Sequence, residues 1–157
     1  MKRCTEVLLW LMVILLAGCA EGNSTGMTGK KPPVAYVSIG DEKYETKLGS
    51  YCWETISSAI CADTAGPIDL VQGEKPIEVM PGEEIFVEIS LDRKPNEIHV
   101  SQFNNNQETT LKINKNHFKA PLEKGTYIYG YSVWWMSETE KDVSDGDALY
   151  AFALEVK

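Results

Sequence analysis

From Val34 to the carboxyl end, apolar and polar positions alternate with a period of two. Ile85, Val87, Ile89 and Leu91 alternate with Glu84, Phe86, Glu88 and Ser90. Tyr44, Thr46 and Leu48 alternate with Lys43, Glu45 and Lys47. That is the signature of a strand with one buried face. Ile77 and Val79, Ile98 and Val100, Leu111 and Ile113, and the final run Ala148, Tyr150, Phe152, Leu154 and Val156 repeat it. Turn signals separate these runs: Gly40-Asp41, Pro81-Gly82, Pro95-Asn96, Asn104 to Asn106, Asn114 to Asn116, Lys124-Gly125 and Asp145-Gly146. No long helical period occurs. The pattern predicts an all-β antiparallel sandwich over residues 34–157. Ile56 to Ala62 fits either a short helix or an ordered loop.

The second half sharpens this expectation. Pro81-Gly82, the strand Glu84 to Leu91, then Leu122, Gly125-Thr126-Tyr127 and a long aromatic strand resemble the end of an immunoglobulin-like domain. The resemblance spans about 75 residues and implies that Tyr127, at the start of the penultimate strand, bonds back to the upstream backbone. It implies no function. The inter-sheet disulfide of antibody domains is missing, because Cys52 and Cys61 are too close in sequence.

The amino end differs in kind. Lys2 and Arg3 precede the apolar run Val7 to Ala17, which is shorter than the roughly 20 residues a spanning helix needs. Residues 1–18 therefore have the form of an export signal peptide. Leu16-Ala17-Gly18-Cys19 resembles the lipobox of bacterial lipoproteins, in which the cysteine receives a diacylglyceryl group and becomes the first mature residue. The resemblance implies lipidation of Cys19 and a location at the extracytoplasmic face of a cell membrane; the bland alternative is an ordinary signal peptide cut nearby. Two acyl chains hold far more firmly than one. Residues 19–33 are rich in Gly, Ser, Thr, Asn and Pro and predict a flexible linker spanning about 20 Å.

Charge narrows the partners. The chain of 157 residues carries 15 basic and 23 acidic side chains. Without the signal, 13 basic and 22 acidic residues remain, so the surface repels nucleic acid and anionic headgroups alike. The membrane is reached through the lipid; the remaining partner is an envelope protein or a cell-wall component. With Cys4 in the signal and Cys19 consumed by lipid, Cys52 and Cys61 are left to form a disulfide in an oxidising compartment.

Candidate chemistry is sparse. The segment Tyr51-Cys52-Trp53 to Cys61 forms either a rigid binding protrusion or a staple whose Trp53 plugs the core. Tyr127, Tyr129 and Tyr131 share one face, which suits sugar stacking or a core. Trp134 and Trp135 are adjacent and must face opposite ways in a regular strand, which sends one of them to the surface. Tyr51, Trp53, Trp134 and Trp135 are thus the candidate binding residues. Glu138, Glu140, Asp142, Asp145 and Asp147 crowd one loop, yet their spacing fits no helix-loop-helix calcium pattern. His99 and His117 match no metal pair, and neither a phosphate loop nor a nucleophile elbow is present. A zinc site of both cysteines and both histidines, or a thiol enzyme using Cys61, would require unpaired thiols. The expectation is a non-enzymatic binding module without cofactor. The rivals are a protease inhibitor presenting the Cys52–Cys61 loop, and an enzyme or calcium-dependent module.

Overall fold

A computed structural model describes residues 26–105, 107–114 and 116–157; the apolar run and Cys19 lie outside the described residues. The strands in chain order are β1 (Ala35–Ile39), β2 (Glu42–Glu45), β3 (Lys47–Glu54), β4 (Ala59–Ala62), β5 (Ile77–Val79), β6 (Glu84–Ile89), β7 (Glu97–Asn104), β8 (Gln107–Leu111), β9 (His117–Lys119), β10 (Gly125–Met136) and β11 (Ser144–Val156). One helical turn, α1 (Pro67–Leu70), lies between β4 and β5. The strands form two packed sheets, an all-β sandwich. The smaller has the order β2-β1-β6-β9, and the larger β4-β3-β11-β10-β7-β8 with β5 attached to β11. Pairing is antiparallel except between β5 and β11, which run parallel.

Alternation on each strand selects the inward residues, as the sequence pattern requires. Ala35, Val37, Ile85, Val87 and Ile89 face in from the small sheet. Tyr129, Tyr131, Val133, Trp135, Tyr150, Phe152 and Leu154 meet them from the large one. Burying side chains of this size stabilises by about 1.5 to 3 kcal/mol each. The outer side of β11 is also apolar at Ala151 and Ala153. There α1 and Val71 cover it, with Pro67 lying so close that a Cβ on Gly130 would stand 2.9 Å from its ring.

The three aligned tyrosines are core residues. The Tyr127 hydroxyl donates to the Glu123 carbonyl at 3.0 Å, the upstream bond expected of it. Tyr129 donates to Gln102 Oε1 and stacks on Phe152 with centroids 5.0 Å apart. Tyr150 donates to the Pro33 carbonyl at 2.7 Å. Burial pushes the phenols of Tyr129, Tyr131 and Tyr150 well above their ordinary value.

Three segments depart from the sequence-based expectation. The Tyr44, Thr46, Leu48 alternation predicts one strand, but the chain changes sheets at Thr46. Its N–H and Oγ1 both donate to the Ala35 carbonyl, at 3.0 and 2.8 Å. Side-chain alternation carries no information on which sheet a strand joins, so this corner is silent in the pattern. Ile56 to Ala62 is neither helix nor free loop: it turns and returns as β4 along β3. Thr55 organises the turn by bonding Ser58 through backbone and hydroxyl.

The third is the flexible linker predicted for residues 19–33, which is docked from Gly26 onward. Met27 and Pro32 are buried, the Met27 N–H donates to the Glu54 carbonyl at 2.8 Å, and the Thr28 carbonyl accepts the Trp53 indole N–H. Mostly small and polar composition concealed two apolar anchors.

Arg93, between β6 and β7, ties this end of the sandwich together. Its Nη1 stands 2.6 Å from Asp145 Oδ2 without a hydrogen aimed squarely at it, so charge attraction makes the contact. Nη1 also touches Met27 Sδ, Nη2 donates to the Met136 carbonyl at 3.0 Å, and the Arg93 carbonyl accepts the Trp135 indole N–H at 2.8 Å. Removing one member of a largely buried pair strands the other charge. Arg93→Ala is therefore expected to lower unfolding free energy by about 2 kcal/mol, allowing for Arg93's partial exposure. Urea denaturation reads it, and a loss below about 0.5 kcal/mol, the level of an ordinary surface change, would show that the strap and the acidic loop stay in place without the guanidinium.

Candidate functional site

The hairpin of β3 and β4 sets Cys52 directly opposite Cys61, and the two are joined by a disulfide. Cys61 therefore carries no free thiol, and the thiol-enzyme and cysteine-zinc readings lose their ligand. Trp53, one residue on, points to the other side of the hairpin and is 1% exposed, packed edge-on against Trp135 with centroids 5.0 Å apart. Gly146 permits this: a Cβ there would stand 2.9 Å from the Trp53 ring.

Two of the four candidate binding residues, Trp53 and Trp135, are thereby corrected. Trp53 and Trp135 lie in the core because each falls at an inward position of its strand, and both indole N–H groups are used on backbone carbonyls. Tyr51, on the same side of β3 as Trp53, packs partly buried against the core. Trp134 alone reaches the outer face of the large sheet, where it is partly exposed.

Register brings Trp134 and the disulfide together. Glu97 of β7 pairs with Trp134 of β10, Trp134 with Asp147 of β11, Asp147 with Cys52 of β3, and Cys52 with Cys61 of β4. These five residues form one row across the outward face, perpendicular to the strands. His99, two residues along β7, sets its ring edge-on to Trp134 with centroids 5.3 Å apart, and its Nε2 lies 2.9 Å from Glu97 Oε1. Asp147 Oδ1 accepts the Cys52 N–H at 3.2 Å. The row thus offers a flat aromatic, a histidine and carboxylates on a rigid sheet. Such a surface can stack an apolar or sugar face and bind donors at its edges.

Sequence reasoning found Trp134 and the cysteines but not Glu97, His99 or the part played by Asp147, which was grouped with the acidic loop. Only the Glu97-x-His99 alternation hinted that the two share a face. The loop carboxylates do not converge: Asp145 turns to Arg93, Asp147 to Cys52, and Glu138, Glu140 and Asp142 point into solvent. Among the described residues, no group of three or more His, Cys, Asp or Glu side chains is arranged to hold a metal ion. His117 lies on the outer face of the small sheet beside Phe86, far in the topology from His99.

Beside the hairpin lies a groove of about 680 Å³, walled by Met27, Thr28 and Lys30 on one side and Thr55, Ile56 and Ile60 on the other. Ile56 is 78% exposed and Ile60 44%. No protein-family model, curated protein or solved structure matches this chain.

Partial burial lifts the Asp147 carboxyl above its ordinary value, and the Cys52 N–H draws it part of the way back. A folded-state pKa above the unfolded one means that the native state holds this proton more tightly. Ionised Asp147 then costs stability at neutral pH, and that cost disappears as pH falls below the unfolded value of about 4. Asp147→Asn keeps an oxygen for the Cys52 N–H. It is expected to raise Tm at pH 7 and to leave Tm nearly unchanged at pH 3. Calorimetry at the two pH values checks this, and a lower Tm at pH 7 would mean that the carboxylate is held by attraction instead of penalised by burial.

Proposed function

We propose that this protein is a non-enzymatic lipoprotein: an immunoglobulin-like sandwich held at the extracytoplasmic face of a cell membrane by lipid on Cys19. It binds an envelope protein or a cell-wall component through the outer face of its large sheet. The row Glu97, Trp134, Asp147, Cys52 and Cys61 carries the reading, because a partly exposed tryptophan with His99 at its edge has no role in the core. The lipobox Leu16-Ala17-Gly18-Cys19 supports the location. The seven residue-to-residue steps from Cys19 to Gly26 reach at most about 25 Å, so the docked strap and the end of the sandwich it covers work close to the bilayer.

The immunoglobulin-like reading draws on connectivity. With β2 to β4 and α1 set aside as an insertion, β1, β6 and β9 lie in one sheet and β7, β10 and β11 in the other. Such domains divide their strands in that order, and the Tyr127 bond to Glu123 sits where their corner tyrosine does. A sheet-face binding module fits the hairpin better than a protease inhibitor does. The disulfide-braced element is a hairpin with a tight turn at Thr55 to Ser58, with no extended loop for a protease cleft.

Two substitutions test the proposal. Cys19→Ser is expected to abolish incorporation of labelled palmitate and release the protein from membranes. Trp134→Ala is expected to leave Tm within about 2 °C, as a surface change should, while weakening capture of cross-linked envelope material from intact cells at least tenfold. Palmitate labelling that survives Cys19→Ser removes the anchor; capture unaffected by Trp134→Ala removes the face.

A further inference from the structure

The row on the outer face ends at β4, whose far edge pairs with nothing among the described strands. The hydrogen-bonding sense of that edge follows from the turn. The Thr55 N–H donates to the Ser58 carbonyl, so Thr55 and Ser58 are a hydrogen-bonded pair. Alternation then makes Trp53 and Ile60 bonded and leaves Glu54 with Ala59, and Cys52 with Cys61, as non-bonded pairs. The N–H and C=O groups of Ala59 and Cys61 consequently point away from β3, towards the free edge.

Natural sheets protect such edges with charge, proline or bulges. The other sheet edges carry charge: Glu42, Lys43 and Glu45 on β2, Glu108 on β8, and Lys119 on β9. β4 carries none. From Thr55 to Ala62 the chain reads Thr-Ile-Ser-Ser-Ala-Ile-Cys-Ala, without charge or proline.

The geometry points to β4 as a strand-addition site that takes an extended peptide segment in which apolar and basic residues alternate. This rests on the reading of the protein as a binding module and not on the lipid anchor. Backbone groups of the incoming strand pair with those of Ala59 and Cys61, and alternate side chains fall on opposite faces. On the inward side they meet Ile60 and the groove walled by Met27 and Ile56, which calls for apolar residues. On the outward side they lie beside Ala59 and Cys61, too small to block the way to Glu54, which is exposed and has no cation paired with it among the described residues. Asp147 lies one strand further on. Carboxylates there, on a chain of net charge −8, call for Lys or Arg. Strand addition would also lengthen the row that holds Trp134, so one ligand can engage both.

The test uses the full-length protein in nonionic detergent and three fluorescein-labelled eight-residue peptides: alternating Val-Lys, alternating Val-Glu, and Val-Lys with every second amide N-methylated. Fluorescence anisotropy is expected to show saturable binding of Val-Lys, with Val-Glu and the N-methylated peptide at least tenfold weaker. Ala59→Pro removes an edge-facing N–H at a position where an edge strand tolerates proline. It is expected to weaken Val-Lys binding at least tenfold, and Glu54→Gln by a smaller factor. Equal binding of Val-Lys and Val-Glu, or indifference to N-methylation, overturns the proposal without requiring any variant to fold. Self-association of the wild-type chain that Ala59→Pro abolishes also overturns it, by making a second copy the occupant. Absent peptide binding alongside Trp134-dependent capture from cells would sink the edge site and leave the proposed function standing.

Discussion

The structure turns on covering one surface: the inward face of β10 and β11, two strands of 12 and 13 residues whose core side carries Tyr127, Tyr129, Tyr131, Trp135, Tyr150 and Phe152. Leaving so large an aromatic surface in water would forfeit much of the stabilisation that burial gives the domain. The opposing sheet has four strands, and β2 and β9 are short. It cannot cover the whole. The strap from Gly26 to Pro33 and the Arg93 loop complete the cover where the small sheet stops, and Trp53 is laid against Trp135 to fill the remaining corner.

This constraint also explains what is left outside. Because the inward positions of β10 and β11 are committed to the core, their alternate positions must face outward, and part of that face is itself sealed by α1 and Val71 over Ala151 and Ala153. The unsealed remainder includes the row from Glu97 to the disulfide. A stiff five-strand platform beneath these side chains fixes their spacing, a preorganisation that would lower the ordering cost of the proposed binding. The disulfide lies within this platform as a cross-strand tie, and it adds a covalent link to the antiparallel pairing of the edge strand β4 with β3.

The hairpin thus has two unlike sides. Its inner side supplies Trp53 to the core, and its outer side and free edge are open. Neither the disulfide-closed segment nor the adjacency of Trp134 and Trp135 distinguishes these sides in the sequence, so Trp53 and Trp135 are expected there as binding candidates beside Trp134. Burial removes both. What separates them is parity: Trp134 differs from Trp135 by one position in a strand, and one position is a change of face.

The chain's own alphabet determined most of the strands and turns, because alternation and turn chemistry are local, and it pointed to the pairing of Cys52 with Cys61 that the structure contains. It also determined that Trp134 and Trp135 face opposite ways. It did not determine which way, nor that Thr46 is a corner, that Ile56 to Ala62 returns as a strand, or that Met27 and Pro32 are anchors. Those outcomes depend on which distant segment lies opposite. The row that joins Glu97, Trp134, Asp147 and the disulfide draws on five strands, and only the register between strands, set by packing across the two sheets, could align them.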